Sequence, residues 1–281
     1  MKYSIARYIA TRAWKIFLSA LVFSVALTRL AKADEEALKS QLNVEDAAIA
    51  RSAANAFRIL FIGDSITRHG TNEDIKKSLH WDHVAGMAAS AEEKDYVHLL
   101  AAKIQATLPG RKVEIYYDSQ AKKLSPLPAN LQGGSAEQKW ELAKATASFK
   151  PHLVVIQLGE HENTAKGAEA FRKSYDGLVG FFTDQPTPPQ VICAGVWQPG
   201  DIAAGKDSYI PNGWAGTVDR VMGEVGQARG VAFATVRAYA LDPKCRGWGE
   251  NGGVQWHPND KGMEGYTHVL FEAYQRNRGG H

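Results

Sequence analysis

The chain has 281 residues, of which 44% are hydrophobic and 22% are charged, and this composition is that of an ordinary globular protein with one large or two small domains. Its formal net charge is +3, but residues 1–33 contain six basic side chains and no acidic one, so the remainder carries −3. Because no run rich in Lys and Arg remains, the composition argues against a nucleic-acid partner.

The first 33 residues have the pattern of an export signal. A basic start is followed by an apolar run over residues 16–27 and by Ala31-Lys32-Ala33, which is typical of a cleavage site. The apolar run is shorter than the roughly 20 residues needed to span a bilayer. We expect removal of residues 1–33, no stable membrane insertion afterwards, and a periplasmic or secreted protein. An uncleaved anchor is the alternative.

The rest of the chain alternates short apolar runs with helical patterns. Residues 34–56 are rich in Ala, Glu, Lys and Gln and are expected to form a helical tether before a domain over residues 57–281. Five apolar runs predict strands, at residues 58–62, 112–117, 153–158, 191–196 and 231–235. Either Asn259 or Asp260 can cap the last predicted helix. This alternation predicts a parallel five-stranded sheet with helices on both faces, a three-layer α/β/α sandwich.

Residues 68–93 follow the first strand without a clear period. We interpret them as an insertion over the edge of the sheet that forms a wall or lid, with His69 as a lining residue. His80 and His83 have a spacing that metal ligands use on a helix, but a third ligand is not evident and Trp81 with its neighbour Asp82 favours a surface loop. A metal hydrolase is therefore the least favoured interpretation.

Cys193 and Cys245 are the only cysteines of the chain. In an oxidising compartment they can form a disulfide, yet Cys193 lies in a predicted strand, where a buried free thiol is common. Both states remain open. Neither cysteine has the spacing of a metal clamp or a redox pair.

Polar residues follow four predicted strands at what must be one edge of the sheet. Ser65 follows the first strand, Gly133-Gly134 the second and residues 159–163 the third, while His257 lies beyond the fifth. A serine hydroxyl becomes a nucleophile when an imidazole accepts its proton, and the oxyanion that forms needs N–H donors. Ser65 and His257 are therefore candidate nucleophile and base, although Gly-Asp-Ser alone also fits a turn with a helix N-cap.

Two segments resemble blocks of the SGNH (GDSL-type) hydrolases. Residues 63–67, Gly-Asp-Ser-Ile-Thr, resemble the first block, and residues 256–263, Trp-His-Pro-Asn-Asp-Lys-Gly-Met, resemble the last. The resemblance covers essentially all of the predicted domain. It implies a flavodoxin-like sandwich and ester hydrolysis through an acyl-serine intermediate, with neither a metal nor an organic cofactor.

By position, the resemblance implies that Ser65 is the nucleophile and His257 the general base. The implied oxyanion donors are the backbone N–H groups of Ser65 and Gly134, with Gly134 preferred over Gly133, and the side chain at position 161. The family has an amide there, whereas this chain has His161, and a neutral imidazole can donate one N–H. The alternative is a binding or structural role in which Glu160 or Glu162 holds His161.

A second departure concerns the partner of His257. The family usually has Asp three residues earlier, where this chain has Val254. Without an acceptor the imidazole lacks a fixed tautomer, which in serine proteases costs roughly 10⁴ in turnover. Either Glu250 or a backbone carbonyl of residues 253–256 must replace the carboxylate, since Asp260 is better explained as a helix cap.

These features predict a serine hydrolase for a small-molecule or glycan ester, in particular a short-chain acyl or acetyl ester of a carbohydrate. Several late tryptophans suit stacking on sugar rings, namely Trp197, Trp214, Trp248 and Trp256, although for Trp214, which lies on a helical stripe, packing in the core is the better explanation. Trp256 joins Asp64 and Glu160 in the expected site lining. The alternatives are a lipase or lysophospholipase, weakened because the sequence shows no long apolar lid helix, and a glycan-binding protein with impaired catalysis. The oligomeric state does not follow from the sequence.

Overall fold

A parallel five-stranded sheet forms the centre of the fold. The computed structural model describes residues 55–117, 149–162 and 167–278. The strands are β1 (Phe57–Gly63), β2 (Val113–Tyr117), β3 (Leu153–Gln157), β4 (Gln190–Ala194) and β5 (Ala232–Ala234). They pair in the order β2-β1-β3-β4-β5, with all pairs parallel. The predicted strands are therefore confirmed, and their ends shift by at most two residues.

The central position of β1 decides where the candidate site lies. Apart from Arg58 in β1 and Gln157 in β3, both strands are apolar and buried, as expected for strands that are covered on both faces. Gly63 at the end of β1 is paired with Gln157 at the end of β3. The segments that follow these two residues therefore leave the sheet side by side at its carboxyl edge.

Helices cover the sheet as two packed pairs. The described helices are α1 (Glu73–Leu79), α2 (Tyr96–Ala106), α3 (Ala168–Thr183), α4 (Trp214–Ala228), α5 (Arg237–Ala240), α6 (Gly252–Trp256) and α7 (Asp260–Arg278). Helix α2 packs against α7, and α3 packs against α4, while α4 and α7 both contact β4 and β5. These helix pairs and the parallel sheet confirm the predicted α/β class.

Side-chain caps fix the starts of two helices that border the site. Asp95 accepts the His98 backbone N–H at 2.9 Å and so caps α2. For α7, the side chain of Asn259 accepts the Gly262 N–H at 3.1 Å. The expectation that Asp260 serves as this cap is wrong, because Asp260 is the first residue of the helix and its carboxylate binds Ser90.

The insertion at residues 68–93 forms a packed wall. Trp81 is fully buried, and its indole N–H donates to the carbonyl of His69, so the expected surface loop at Trp81 is wrong. The buried ring packs against His83 and Trp248 and so anchors the part of this segment that follows α1. Met87 donates its backbone N–H to the Ser65 carbonyl at 2.8 Å, which joins the wall directly to the turn after β1.

Several sequence predictions concern residues outside the described ranges. These are the export signal, nearly all of the tether, and the Gly133-Gly134 segment. The described residues belong to one compact unit, and none of their helices has the length and apolar character needed to cross a membrane. Cys193 and Cys245 are both buried and unbonded to each other.

Candidate active site

Ser65 and His257 meet at the carboxyl edge of the sheet. The Ser65 hydroxyl oxygen lies 2.7 Å from His257 Nε2, although 192 positions separate the two residues. Ser65 stands two residues after β1, and His257 lies between α6 and α7. The imidazole is 8% exposed, whereas the serine borders a cleft.

The turn that presents Ser65 requires a glycine at position 63. A Cβ atom on Gly63 would lie 1.7 Å from the Thr67 hydroxyl, far inside van der Waals contact. That hydroxyl cannot easily move, because it is bonded to the Tyr96 hydroxyl at 2.7 Å and to Gln157 at 3.2 Å. The Asp64 carbonyl also accepts the Thr67 N–H at 2.8 Å. The first sequence block is therefore a tight turn locked onto the ends of two neighbouring strands.

A backbone carbonyl fixes the tautomer of His257. Nδ1 of the ring lies 2.6 Å from the Gly253 carbonyl oxygen. Since a carbonyl can only accept, the proton sits on Nδ1, and Nε2 is left as an acceptor for the Ser65 hydroxyl. Of the two replacements left open for the missing Asp, the structure has the carbonyl. Glu250 is exposed, and Val254 is buried.

Burial controls the protonation of His257. Removal from water lowers the pKa of the imidazole to about 4, and the charges of His69 and His161 act in the same direction. The hydrogen bond to Gly253 and the charge of Asp64 oppose this change. The ring is therefore neutral, and able to accept a proton, over most of the pH range in which proteins work.

His161 lies beside the nucleophile turn and binds Asp64. Its Nε2 is 2.5 Å from Asp64 Oδ2, and the other carboxylate oxygen accepts the Ser65 backbone N–H at 2.7 Å. The hydrogen bond to Asp64 raises the pKa of His161, with burial opposing. The Asp64 carboxylate, rather than Glu160 or Glu162, is thus the closest acidic partner of this ring.

Glu160 belongs to a buried hydrogen-bonded chain beneath the site. One carboxylate oxygen accepts the Gln157 amide at 2.7 Å and the Trp197 backbone N–H at 2.8 Å. The other oxygen is buried without a hydrogen-bond partner. Burial raises the pKa of this carboxyl to about 7, while backbone hydrogen bonds from Trp197 and from Glu160 itself act in the opposite direction. A neutral carboxylic acid suits such a position better than a carboxylate.

A cleft of about 270 Å³ opens over these groups. It is lined by eight residues: Asp64, Ser65, Ile66, Glu160, His161, Gly253, Trp256 and His257. The structure therefore brings together most of the predicted site residues that it describes.

Three predicted lining residues lie elsewhere. His69 bonds through Nδ1 to the Gly70 carbonyl at 2.7 Å and stands edge-on to Trp81. Glu162 directly follows His161 in the sequence, and its backbone carbonyl accepts the indole N–H of Trp214 at 2.6 Å. These residues and Glu250 do not line the cleft.

The tryptophans divide into buried and accessible rings. Trp197 is fully buried, and its N–H donates to the Trp256 carbonyl at 2.7 Å, so the expectation that Trp197 stacks on sugars is wrong. Trp256 lines the cleft, and Trp248 is 42% exposed. The indole of Trp214 is held by a carbonyl, as given above, and is half-buried.

The paired histidines of the insertion do not form a metal site. His83 bonds to Asp82 through Nδ1 and to the Ala89 carbonyl through Nε2, while His80 is exposed at the end of α1. Within the described residues, no group of three His, Cys, Asp or Glu side chains could hold a metal ion.

Sequence reasoning missed Gln157 as part of the site. A polar amide inside the apolar run of β3 was the available signal for Gln157, since a buried polar side chain needs a partner. For the acceptor of the His257 ring, the sequence pointed to the carbonyls of residues 253–256 but could not choose Gly253 among them, because every residue carries a carbonyl.

Comparisons with known proteins agree with this geometry. Residues 61–264 match the model of the GDSL-like lipase/acylhydrolase family. The chain belongs to this family, as its first and last blocks suggest, and it is a carboxylic ester hydrolase. No curated protein sequence gave a match.

Solved structures give distant matches. An α/β hydrolase enzyme from the metagenome of Lake Arreo, Spain, is 18% identical with a TM-score of 0.50, and the match covers 79% of this chain and 97% of that one. The lipase/acylhydrolase from Enterococcus faecalis is 16% identical with a TM-score of 0.49, and the match covers 79% of this chain and 96% of that one. The acetyl xylan esterase AlAXEase is 14% identical with a TM-score of 0.47, and the match covers 77% of this chain and 99% of that one. At such identities the first match supports the fold alone.

Glu160→Gln should make the stability of the protein less dependent on pH. Because burial raises the pKa of Glu160 from 4.5 to about 7, the folded state keeps this proton longer than the unfolded state. The resulting stability is present below pH 4.5 and is lost as the pH rises through 7. Between pH 4 and 8 the wild type should lose about 3 kcal/mol of unfolding free energy relative to the variant.

Urea unfolding at several pH values measures this difference. Glu93→Gln is the control, because Glu93 is exposed and its replacement by Gln removes one carboxyl group, as Glu160→Gln does. Parallel pH curves for wild type and Glu160→Gln would contradict a buried, protonated Glu160.

Proposed function

We propose that the protein is a serine esterase that works through an acyl-serine intermediate. The observation that carries this proposal is the linear arrangement of the Ser65 hydroxyl, the His257 imidazole and the Gly253 carbonyl, with 2.7 Å and 2.6 Å between neighbours. Membership of an ester hydrolase family gives the bond that is broken. The arrangement provides the nucleophile and base that such a reaction needs.

In the first half of the reaction, the Ser65 oxygen attacks the ester carbonyl and its proton passes to His257 Nε2. The Gly253 carbonyl, hydrogen-bonded to Nδ1, stabilises the imidazolium that forms. Collapse of the tetrahedral intermediate breaks the bond to the alcohol, which leaves with the proton from Nε2. In the second half, His257 Nε2 takes a proton from water while the water oxygen attacks the acyl carbonyl. Collapse of this second tetrahedral intermediate breaks the bond to the Ser65 oxygen, which takes the proton back from Nε2, and the acid leaves.

The proposed oxyanion donors are the Ser65 backbone N–H, the Gly134 backbone N–H and His161. The first and the third lie at the cleft in the structure, whereas Gly134 is proposed from the family block alone. His161 is a stronger donor as an imidazolium than as a neutral ring.

For the substrate, we propose a short acyl ester, in particular an acetyl ester, of a carbohydrate. A cleft of about 270 Å³ is at the small end for ligand pockets, which favours a short acyl group. Trp256 at the cleft and the exposed ring of Trp248 offer aromatic faces to a sugar.

An esterase for longer acyl chains is the second candidate. A cavity of about 820 Å³ lies beyond the ends of β4 and β5, with Ile202, Ala203, Ala238, Leu241 and Pro243 among its lining residues. Such apolar surface suits a hydrocarbon chain better than a sugar. Whether the enzyme prefers long-chain esters or short acyl esters of carbohydrates decides between the two candidates.

We also propose that the enzyme acts outside the cytoplasm. The basic start, apolar run and small-residue site in residues 1–33 support this proposal. Detection of mature protein beginning at Asp34 in a periplasmic or culture fraction tests it.

Replacement of Ser65 or His257 by Ala should abolish ester hydrolysis. Each substitution removes one half of the proton-transfer pair, and we expect kcat/KM for a short-chain aryl ester to fall by about 10³-fold or more. Ser78→Ala and His268→Ala are matched controls at exposed helical positions and should keep full activity. An active Ser65→Ala variant would rule out the serine mechanism.

The acid limit of kcat/KM should lie near pH 4. Only neutral His257 accepts the serine proton, and burial holds its pKa at about 4, below the usual 6.5. Rates with a substrate that does not ionise in this range, measured where circular dichroism shows folded protein, give the limit. A limit at pH 6 to 7 would mean that the ring is hydrated in the working enzyme.

Chain-length preference should favour acetyl groups. We expect faster release of acetate from acetylated oligosaccharides than of acid from long-chain esters, because the cleft holds only a small acyl group. Comparison of kcat/KM for the two substrate classes gives the answer. Preference for long chains would contradict the acetyl proposal and favour the second candidate, an esterase whose acyl chain binds in the 820 Å³ cavity.

A further inference from the structure

The Asp64 carboxylate occupies two donors that the proposed function needs for the oxyanion. One oxygen accepts the Ser65 N–H at 2.7 Å, and the other accepts the Nε2 proton of His161 at 2.5 Å. An oxyanion carries the same charge and would use the same N–H groups. We propose that Asp64 is an internal competitor for the oxyanion site, which it closes until a substrate displaces it. This inference rests on the proposed serine mechanism.

The geometry makes a bound carboxylate and a bound oxyanion mutually exclusive at this place. Ser65 has a single backbone proton, and it points at Asp64. Two negative oxygens that share it would stand within a few ångströms of each other and repel. The Asp64 side chain must therefore turn away, or lose its charge, before the tetrahedral intermediate forms.

Displacement of Asp64 does not require the turn to unfold. The carbonyl of Asp64 accepts the backbone N–H groups of Thr67 and Arg68, so the main chain is held independently of the carboxylate. The side chain of His161 is 61% exposed and that of Asp64 is 23% exposed. Water screens the exposed imidazole of this pair, so an ester that fits the cleft can compete for the contact even though the carboxylate is largely buried.

The opposite role for Asp64 makes an opposite prediction. If the carboxylate served only to orient His161 as a donor, its removal would leave the ring loose and weaken binding of the oxyanion. If it competes, its removal makes both donors available and strengthens binding. The sign of the change in affinity for an oxyanion analogue therefore separates the two roles.

The experiment uses a short alkyl boronic acid as the analogue. The Ser65 oxygen adds to boron and its proton passes to His257, which gives a tetrahedral anion with oxygens at the oxyanion site. Asp64→Ala removes the carboxylate, and Asp64→Asn keeps an oxygen for the Ser65 N–H without the charge. The inhibition constant should fall by about three- to tenfold in Asp64→Ala and by less in Asp64→Asn. Glu93→Gln should leave it unchanged.

Each other result has a definite meaning. An equal or higher inhibition constant for folded Asp64→Ala overturns the inference, and if that variant does not fold, the same result for Asp64→Asn does so. Failure of the mechanism itself looks different. In that case wild type hydrolyses no ester, and Ser65→Ala binds the boronic acid as well as wild type does, which removes the basis of the inference as well.

Discussion

The hydrogen-bonded contact between Thr67 and Gln157 is the constraint on which the site depends. It joins the turn after β1 to the last residue of β3, and it is possible only because Gly63 leaves room for the threonine side chain. Gln157 passes the connection on to Glu160. The segment with Ser65 and the segment with His161 are consequently connected by a chain of side chains, of which only Glu160 reaches the cleft.

His257 shows how a backbone group can replace a catalytic carboxylate. The Gly253 carbonyl belongs to α6, a helix of five residues whose start is capped by the Asn251 side chain. Asn251 also donates to the Ser78 carbonyl of α1 at 2.8 Å. A polar side chain that touches neither Ser65 nor His257 thus anchors the helix that aligns the proposed base, and the insertion after β1 provides its support.

The sequence was sufficient for the five strands and for the pairing of Ser65 with His257, because hydrophobic period and strand-end position follow from local pattern. It was insufficient where contacts between distant elements decide the burial or the partner of a side chain. Trp81 and Trp197 are buried by packing from distant elements, and Asp64 contacts His161 only through the alignment of β1 with β3. Glu160 stood out as a site residue, but its protonation depends on burial that no local pattern reveals.

The distance of 192 positions along the chain between Ser65 and His257 has a consequence for how the protein matures. The turn with the proposed nucleophile follows the first strand and the proposed base lies in the loop before the last helix, so the elements between them must be in place before the two side chains meet. Partly folded chains therefore lack the activated hydroxyl, and contacts of such high sequence separation form slowly. Esterase activity in this family member is a direct readout of completed folding.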